Sequence, residues 1–303
     1  MKPLRIACVG EAMIELSLTK TPGPAHAGIA GDALNTAIYM QRAIGAPHQV
    51  SFVSVIGTDA LSDQIFSFVA GEGISTGGLR RDPHRLPGIY AVSTDSMGER
   101  SFLYWRENSA ARLLLQNGGQ TCFDALKGFD VIFLSAITLA ILPEFVRRAL
   151  FKWIRQFRVE GGKFAFDSNY RPRLWSNRAE ARDNVERAWQ LCDIALPSLD
   201  DELELFREPN EAAVLKRFAT YNGLTGVLKR GDRGPFPINM PIEPSLVFAP
   251  ASHVVDTTAA GDSFAGTFLA KHLTGSNLAE AMTSAHECSS TVIGYPGAII
   301  PKE

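Results

Sequence analysis

Apolar residues fall in short continuous runs along this chain: Leu4–Val9, Val50–Ile56, Val131–Leu134, Lys163–Phe166, Ile194–Leu196 and Gly226–Leu228. Most are separated by stretches in which apolar side chains recur every three or four residues, such as Glu144–Val159, Arg178–Leu191 and Ala212–Tyr221. A continuous run suits a strand buried on both faces, and the three-to-four spacing suits a helix buried along one stripe. Their alternation predicts a largely parallel sheet covered by helices on both faces.

Two segments break this rhythm. Gly88–Asn108 reads GIYAVSTDSMGERSFLYWREN. Its two strand-like runs flank the turn-rich Asp95–Gly98 and predict a hairpin. Residues two apart share a strand face, so Tyr104 and Arg106 should project together. Met13–Gly31, with Pro22, Gly23, Pro24 and Gly28, predicts an irregular, non-helical insertion. The two insertions, at about 12–30 and 86–108, predict a small cap over one sheet edge within a single domain spanning 1–303. The proline-dense Gly231–Pro250 predicts no central strand, because proline cannot donate to a ladder.

Composition narrows the class. With 46% hydrophobic and 20% charged residues the chain is that of an ordinary soluble globular protein. Its 30 basic and 32 acidic residues leave a net charge of −2, which argues against nucleic acid or an anionic membrane as partner. No apolar run approaches the ~18 residues needed to span a bilayer. Lys2 and Arg5 soon meet Glu11 and Glu15, so no signal peptide is read. Cys8, Cys122, Cys192 and Cys288 form no CxxC pair, and Cys8 and Cys192 lie in apolar runs as buried thiols. The histidines include no HExxH pair, so a cytoplasmic protein without a structural metal is expected.

Four segments could carry chemistry. In Ala30–Ala37, Asp32 has the plain reading of a helix N-cap and Gly45 that of a C-terminal stop. Neither explains Asn35, a poor helix former one turn in, which could instead meet sugar hydroxyls. In Asp167–Trp175, polar groups follow a predicted strand, where α/β proteins bind ligands, and Arg171 and Arg173 suit an anion. In Leu228–Gly234 a strand again runs into a glycine turn, yet neither GxxxxGK[ST] nor GxGxxG occurs in the chain. Any nucleotide must therefore be held another way. Finally, Ala259, Ala260 and Gly261 carry almost no side chain before a predicted helix Ser263–Leu273. Their amides suit an anion, and the helix end should keep Asp262 ionised near neutral pH. An N-cap alone would not need three such small residues.

DTTAAGDSF at Asp256–Phe264, with AGDALNTA at Ala30–Ala37, resembles the paired signatures of the ribokinase-like, or PfkB-type, carbohydrate kinases. YWRENSAA at Tyr104–Ala111, FDSNYRPRLW at Phe166–Trp175 and STVIGYPGAIIP at Ser290–Pro301 are similar to members acting on 2-keto-3-deoxygluconate. The resemblance covers nearly the whole chain. It implies an α/β fold, a three-layer αβα sandwich with a small β-sheet lid. It also implies ATP with Mg²⁺, Asp262 as the base for the acceptor hydroxyl, and the Ala259–Asp262 backbone as an anion hole. Gly31, Asp32 and Asn35 would bind sugar hydroxyls, joined by Tyr90 and Tyr104 from the lid. Arg106 and Arg171 would hold the acid end of the substrate. Ser198, Lys229, Arg230, Gly231, Asp232 and Gly234 would border ATP. Asp256, Thr257 and Thr258 would position phosphate or a monovalent cation, and a homo-oligomer is the expected assembly.

A pair of arginines aimed into a sugar pocket favours a sugar acid over a neutral sugar, since a carboxylate shielded from water must be paired. The expected reaction is transfer of phosphate from ATP to the terminal hydroxyl of 2-keto-3-deoxygluconate. The galactonate analogue stays open, as do a fructokinase-like activity and a non-catalytic sugar sensor; the last would be expected to lose the Gly261-Asp262 pair. The chain departs from the family pattern at Ala30, where many members have a second glycine. It departs again at Ser198–Asp201, SLDD in place of Asn-x-x-Glu, which leaves the metal ligands open. The Gly231–Pro250 segment leaves the nucleotide preference open.

Overall fold

The computed structural model describes residues 2–18, 25–94, 100–241 and 246–302. The strands are β1 (Arg5–Val9), β2 (Met13–Ser17), β3 (His26–Ala30), β4 (Gln49–Ile56), β5 (Leu79–Arg81), β6 (Gly88–Thr94), β7 (Arg100–Trp105), β8 (Gln116–Asn117), β9 (Gln120–Thr121), β10 (Val131–Ser135), β11 (Lys163–Asp167), β12 (Ile194–Ala195), β13 (Thr225–Leu228) and β14 (Phe236–Ile238). The helices are α1 (Asp32–Ile44), α2 (Ala60–Gly71), α3 (Ala136–Ile141), α4 (Glu144–Val159), α5 (Arg178–Leu191), α6 (Leu199–Phe206), α7 (Glu211–Phe218), α8 (Ala260–Leu273) and α9 (Leu278–Val292).

Eight strands form the main sheet in the order β14-β13-β12-β11-β10-β1-β4-β5, parallel except for β14. The continuous apolar runs are explained by burial on both faces. In β1, Ile6 and Cys8 face a core shared with α1, α2, α8 and α9, while Ala7 and Val9 face one shared with α3 to α7. Strand order reverses between β1 and β10, so the chain diverges there and leaves a crevice beyond the carboxyl ends of the strands. Among its described residues the proline-dense segment contributes one strand, β14, an antiparallel edge strand in which Pro237 sits opposite Val227. At the other edge β5 is three residues long and carries Arg80 and Arg81.

The two predicted insertions pair into one four-stranded sheet, β3-β2-β6-β7. Met13–Gly31 is thus less irregular than its glycines and prolines imply, because β2 and β3 are regular antiparallel partners. Pro22, Gly23, Pro24 and the Asp95–Gly98 turn lie outside the described residues. Glu15, Tyr90 and Tyr104 lie side by side across β2, β6 and β7.

Two helix starts differ from the sequence reading. Gly31, not Asp32, occupies the cap position of α1, and Asp32 is its first residue. A Cβ on Gly31 would lie 2.1 Å from the Glu11 carbonyl oxygen, so only glycine lets the chain pass there. Helix α8 begins at Ala260 rather than Ser263, capped by Ala259, which puts Asp262 inside its first turn. The helix can start early because Ala260 and Gly261 do not obstruct it and Ser263 Oγ donates back to the Ala259 carbonyl at 2.7 Å.

Helices α1 and α8 meet almost backbone to backbone. A Cβ on Gly266 would stand 2.4 Å from the Thr36 carbonyl oxygen and 2.8 Å from the Met40 amide nitrogen. Gly266→Ala should therefore force the helices apart and cost about 1–3 kcal/mol. Chemical denaturation would measure that loss, and an unchanged midpoint would reject this account of the contact.

Candidate active site

The carboxyl ends of the strands deliver a ring of polar groups to the crevice. Ser135 ends β10 and donates to the Asp32 carboxylate across the point where strand order reverses. Asp167 ends β11 and accepts both the Asn169 amide N–H at 3.1 Å and the Lys229 ammonium at 2.5 Å. Asn169 takes φ 22°, a region asparagine tolerates better than most residues, and its Nδ2 reaches Asp32 Oδ2 at 3.4 Å. Lys229 follows β13, and its Nζ lies 3.3 Å from where a Cβ on Gly261 would stand. The bare turn before α8 and this ammonium thus face the same space.

Asp262 is buried at 7% exposure. Its Oδ2 accepts from Asn35 Nδ2 at 2.8 Å. Burial, reinforced by the Asp32 charge, pushes the Asp262 carboxyl up to about 7, against the lowering effect of Asn35. The sequence expectation that the helix end alone would keep Asp262 ionised is corrected here. Desolvation and a like charge outweigh the dipole at this position. Asp32 is raised as well, chiefly by burial, while Ser135 and Arg106 work the other way. Asp201, which accepts from the Tyr170 amide at 3.1 Å, is pushed up to about 6 by burial.

The inner face of the small sheet supplies the remaining polar groups. The Tyr90 hydroxyl donates to Glu15, its ring stacks on Tyr104 at 5.9 Å, and Arg106 lies over the Tyr104 ring at 6.0 Å. Arg106 is buried and donates to Glu11, whose Oε1 has no hydrogen-bond partner. Arg171 is half-exposed and sits 3.7 Å from Asp201. Both arginines expected to hold a substrate carboxylate therefore already face a carboxylate of the protein. Arg173 is exposed and does not line the crevice.

A cleft of about 270 Å³ joins Asp167, Arg171, Ser198, Lys229, Gly261 and Asp262, with Arg230, Gly231, Gly234, Thr257, Thr258 and Ala260 also on its wall. Asp232 is exposed and off this wall, and the Arg230 guanidinium is turned to Glu211 at 2.9 Å and to the Gly234 carbonyl at 3.0 Å. Asp256 accepts from the Thr258 amide at 2.9 Å and from the Gly297 amide at 2.7 Å, which ties the turn to the C-terminal segment. A neighbouring cavity of about 500 Å³ is larger and mostly apolar, walled by Phe236, Leu246, Phe248 and Met282 with Arg230 and Arg233, and among the described residues no carboxylate lines it. The titratable groups Asp167, Asp201, Lys229 and Asp262 line the smaller, polar cleft. Among the described residues no group of three His, Cys, Asp or Glu side chains is arranged to hold a metal.

Sequence reasoning did not single out Glu11, Glu15, Asn169 or Ser135, and it quoted Asp167 without giving it a role. Each lies at or just beyond the end of a strand or in the small sheet, and only the strand order brings them together. Strand ends were the available signal for Ser135, Asp167 and Asn169.

A family model described as pfkB family carbohydrate kinase matches residues 4–303. A 2-dehydro-3-deoxygluconokinase of Escherichia coli is 39% identical over 308 residues, covering 99% of this chain and 98% of its own. That of Dickeya dadantii is 39% identical over 312 residues, covering 100% and 99%. Among solved structures, a fructokinase with bound ATP from Xylella fastidiosa superposes with TM-score 0.80 at 21% identity, covering 97% of this chain and 93% of its own. The fold is thus ribokinase-like, with helices on both faces of the main sheet and a small separate sheet.

The raised Asp262 carboxyl has a consequence for stability. A carboxyl whose pKa is higher in the folded state than in the unfolded chain binds its proton more tightly when folded, so stability falls as pH rises from about 4 through about 7. Asp262→Asn, which never ionises, should melt above the parent at about pH 8, and the gain should shrink toward about pH 5. Melting curves across that range measure it; a gain that grew on acidification would have the wrong sign.

Proposed function

Because the chain belongs to the pfkB family of carbohydrate kinases, we propose that it transfers the γ-phosphoryl group of ATP to the terminal hydroxyl of 2-keto-3-deoxygluconate. The observation that carries the chemistry is Asp262, a buried carboxylate directly behind three residues with almost no side chain, with Lys229 against Gly261. The carboxylate is the base and the adjoining amides of Ala259–Asp262 are the anion hole. The full-length likeness to 2-dehydro-3-deoxygluconokinases supports the substrate.

In this reading the sugar lies between the small sheet, acting as a lid, and the start of α1. Asp32 and the Tyr90 and Tyr104 rings orient it, and Arg171 and Arg106 meet its carboxylate. The triphosphate lies along the turn before α8, bordered by Ser198, Lys229 and Gly231. The sugar oxygen forms its bond to the γ-phosphorus as the bond to the bridging oxygen breaks; Asp262 takes the hydroxyl proton and ADP leaves. Charge that builds on the transferred group meets the amides of the turn and Lys229. Lys229 starts out held by Asp167, so the ammonium is already beside the cradle before the nucleotide arrives. Mg²⁺ carried on the nucleotide phosphates would supply further positive charge, and Asp167 and Asp201, which line the cleft, would hold its waters.

A neutral sugar is the second reading, favoured by one observation: the Arg106 charge is already balanced by Glu11. ADP release with a panel of aldonic acids, keto-deoxy acids and neutral hexoses separates the two. We expect 2-keto-3-deoxygluconate to give the highest kcat/KM, and fructose in first place would overturn the sugar-acid reading. Asp262→Ala should lower kcat by roughly 10²- to 10⁴-fold while ATP still binds. Turnover near the parental rate would remove Asp262 from its role as base.

A further inference from the structure

Asn35 is 3% exposed on the first turn of α1, and both ends of its amide are used by the protein. Its Oδ1 accepts from the Gly31 amide N–H at 3.3 Å, and its Nδ2 donates to Asp262 Oδ2 at 2.8 Å. The orientation locks itself. A flipped amide would set its NH₂ against the Gly31 N–H and its oxygen against a carboxylate, two repulsions in place of two bonds. We propose that Asn35 is a positioning residue for Asp262, its amide fixing the base in one orientation in the cleft. This rests on the reading of Asp262 as the base and adds to Asn35 a role besides contact with sugar hydroxyls.

The arrangement has a visible structural cause. The bond joins the first turns of two helices far apart in sequence, and it closes only because Gly266 lets α8 lie against the Thr36 and Met40 backbone. Asparagine is a poor helix former at such a position, so its presence there calls for a gain elsewhere. The groups that bear on Asp262 come from several elements: Asp32 from α1, Asp167 after β11, Lys229 after β13 and Tyr90 from β6, with Tyr39 further along α1. Asp32 and Asp167 disfavour a charge on Asp262, whereas Asn35 and Lys229 favour it. Lys229 is bonded to Asp167, whereas the neutral Asn35 amide donates to Asp262 itself.

The test is the pH dependence of kcat with both substrates saturating. Asn35→Ala should move the acidic limb upward by about one pH unit, because a donor to the ionised carboxylate is lost. The isosteric Asn35→Asp keeps the acceptor for Gly31, removes the donor and adds a charge, so its limb should move further; it also decides the matter where Asn35→Ala does not fold. A residue that only touches sugar would raise KM and leave the limb in place. Independently of turnover, carbon NMR of the carboxyl groups, with the Asp262 signal identified by its absence in Asp262→Asn, should show the same upward shift in the unliganded protein. An unmoved Asp262 titration overturns the role of Asn35 alone. An active Asp262→Ala would instead overturn the assignment of the base, so the two failures are distinguishable.

Discussion

The approach of α1 to α8 at Gly266 is the constraint on which the site depends. A single added methyl group would collide with two backbone atoms of α1. Without that side chain, the first turns of the two helices share one small volume. Asp32 and Asn35 come from one turn, and Gly261 and Asp262 from the other. These groups, distant in sequence, are brought into register by packing that is itself free of polar chemistry. The precision of the cleft is therefore set in the core, where close-packed interiors leave little room for adjustment.

Electrostatics then works within that frame. The crevice gathers Asp32, Asp167, Asp201 and Asp262, and burial raises three of them, Asp32, Asp201 and Asp262. Such crowding is costly for a resting protein and useful for a base that must take a proton near neutral pH. Lys229 and the arginines temper it, each already holding a carboxylate partner: Lys229 with Asp167, Arg106 with Glu11, Arg171 near Asp201. An anionic ligand enters as a competitor in a set of existing pairs. Binding of such a ligand is then a balance among pairs and not the attraction of a bare cation.

Much of the fold was legible in the sequence because strands buried on both faces leave continuous apolar runs. The bounds expected for α4 and α5 are those observed, since their stripes are unambiguous. The starts of α1 and α8 were not legible. A cap residue is recognised by its side chain, and here glycine and alanine hold those positions. The turn before Asp262 stood out through the absence of side chains, and the structure puts a lysine against it. The ionisation of Asp262 was misread, because a helix dipole can be read from local sequence whereas burial and the Asp32 charge come from distant segments. Glu11 and Glu15 were read only as charges near the N-terminus for the same reason: each gains its meaning from a partner on β6 or just beyond β7.

The two outermost strands of the main sheet share a property that bears on life at high protein concentration. Each is three residues long; one contains Pro237, which lacks an amide hydrogen, and the other ends in Arg80-Arg81. A long parallel sheet is slow to assemble and exposes a hydrogen-bonding border on which a second molecule could continue the ladder. Short borders, one lacking a donor and the other carrying charge, give an incoming strand little to extend. The sheet's own borders thus offer a poor template for continuing its ladder.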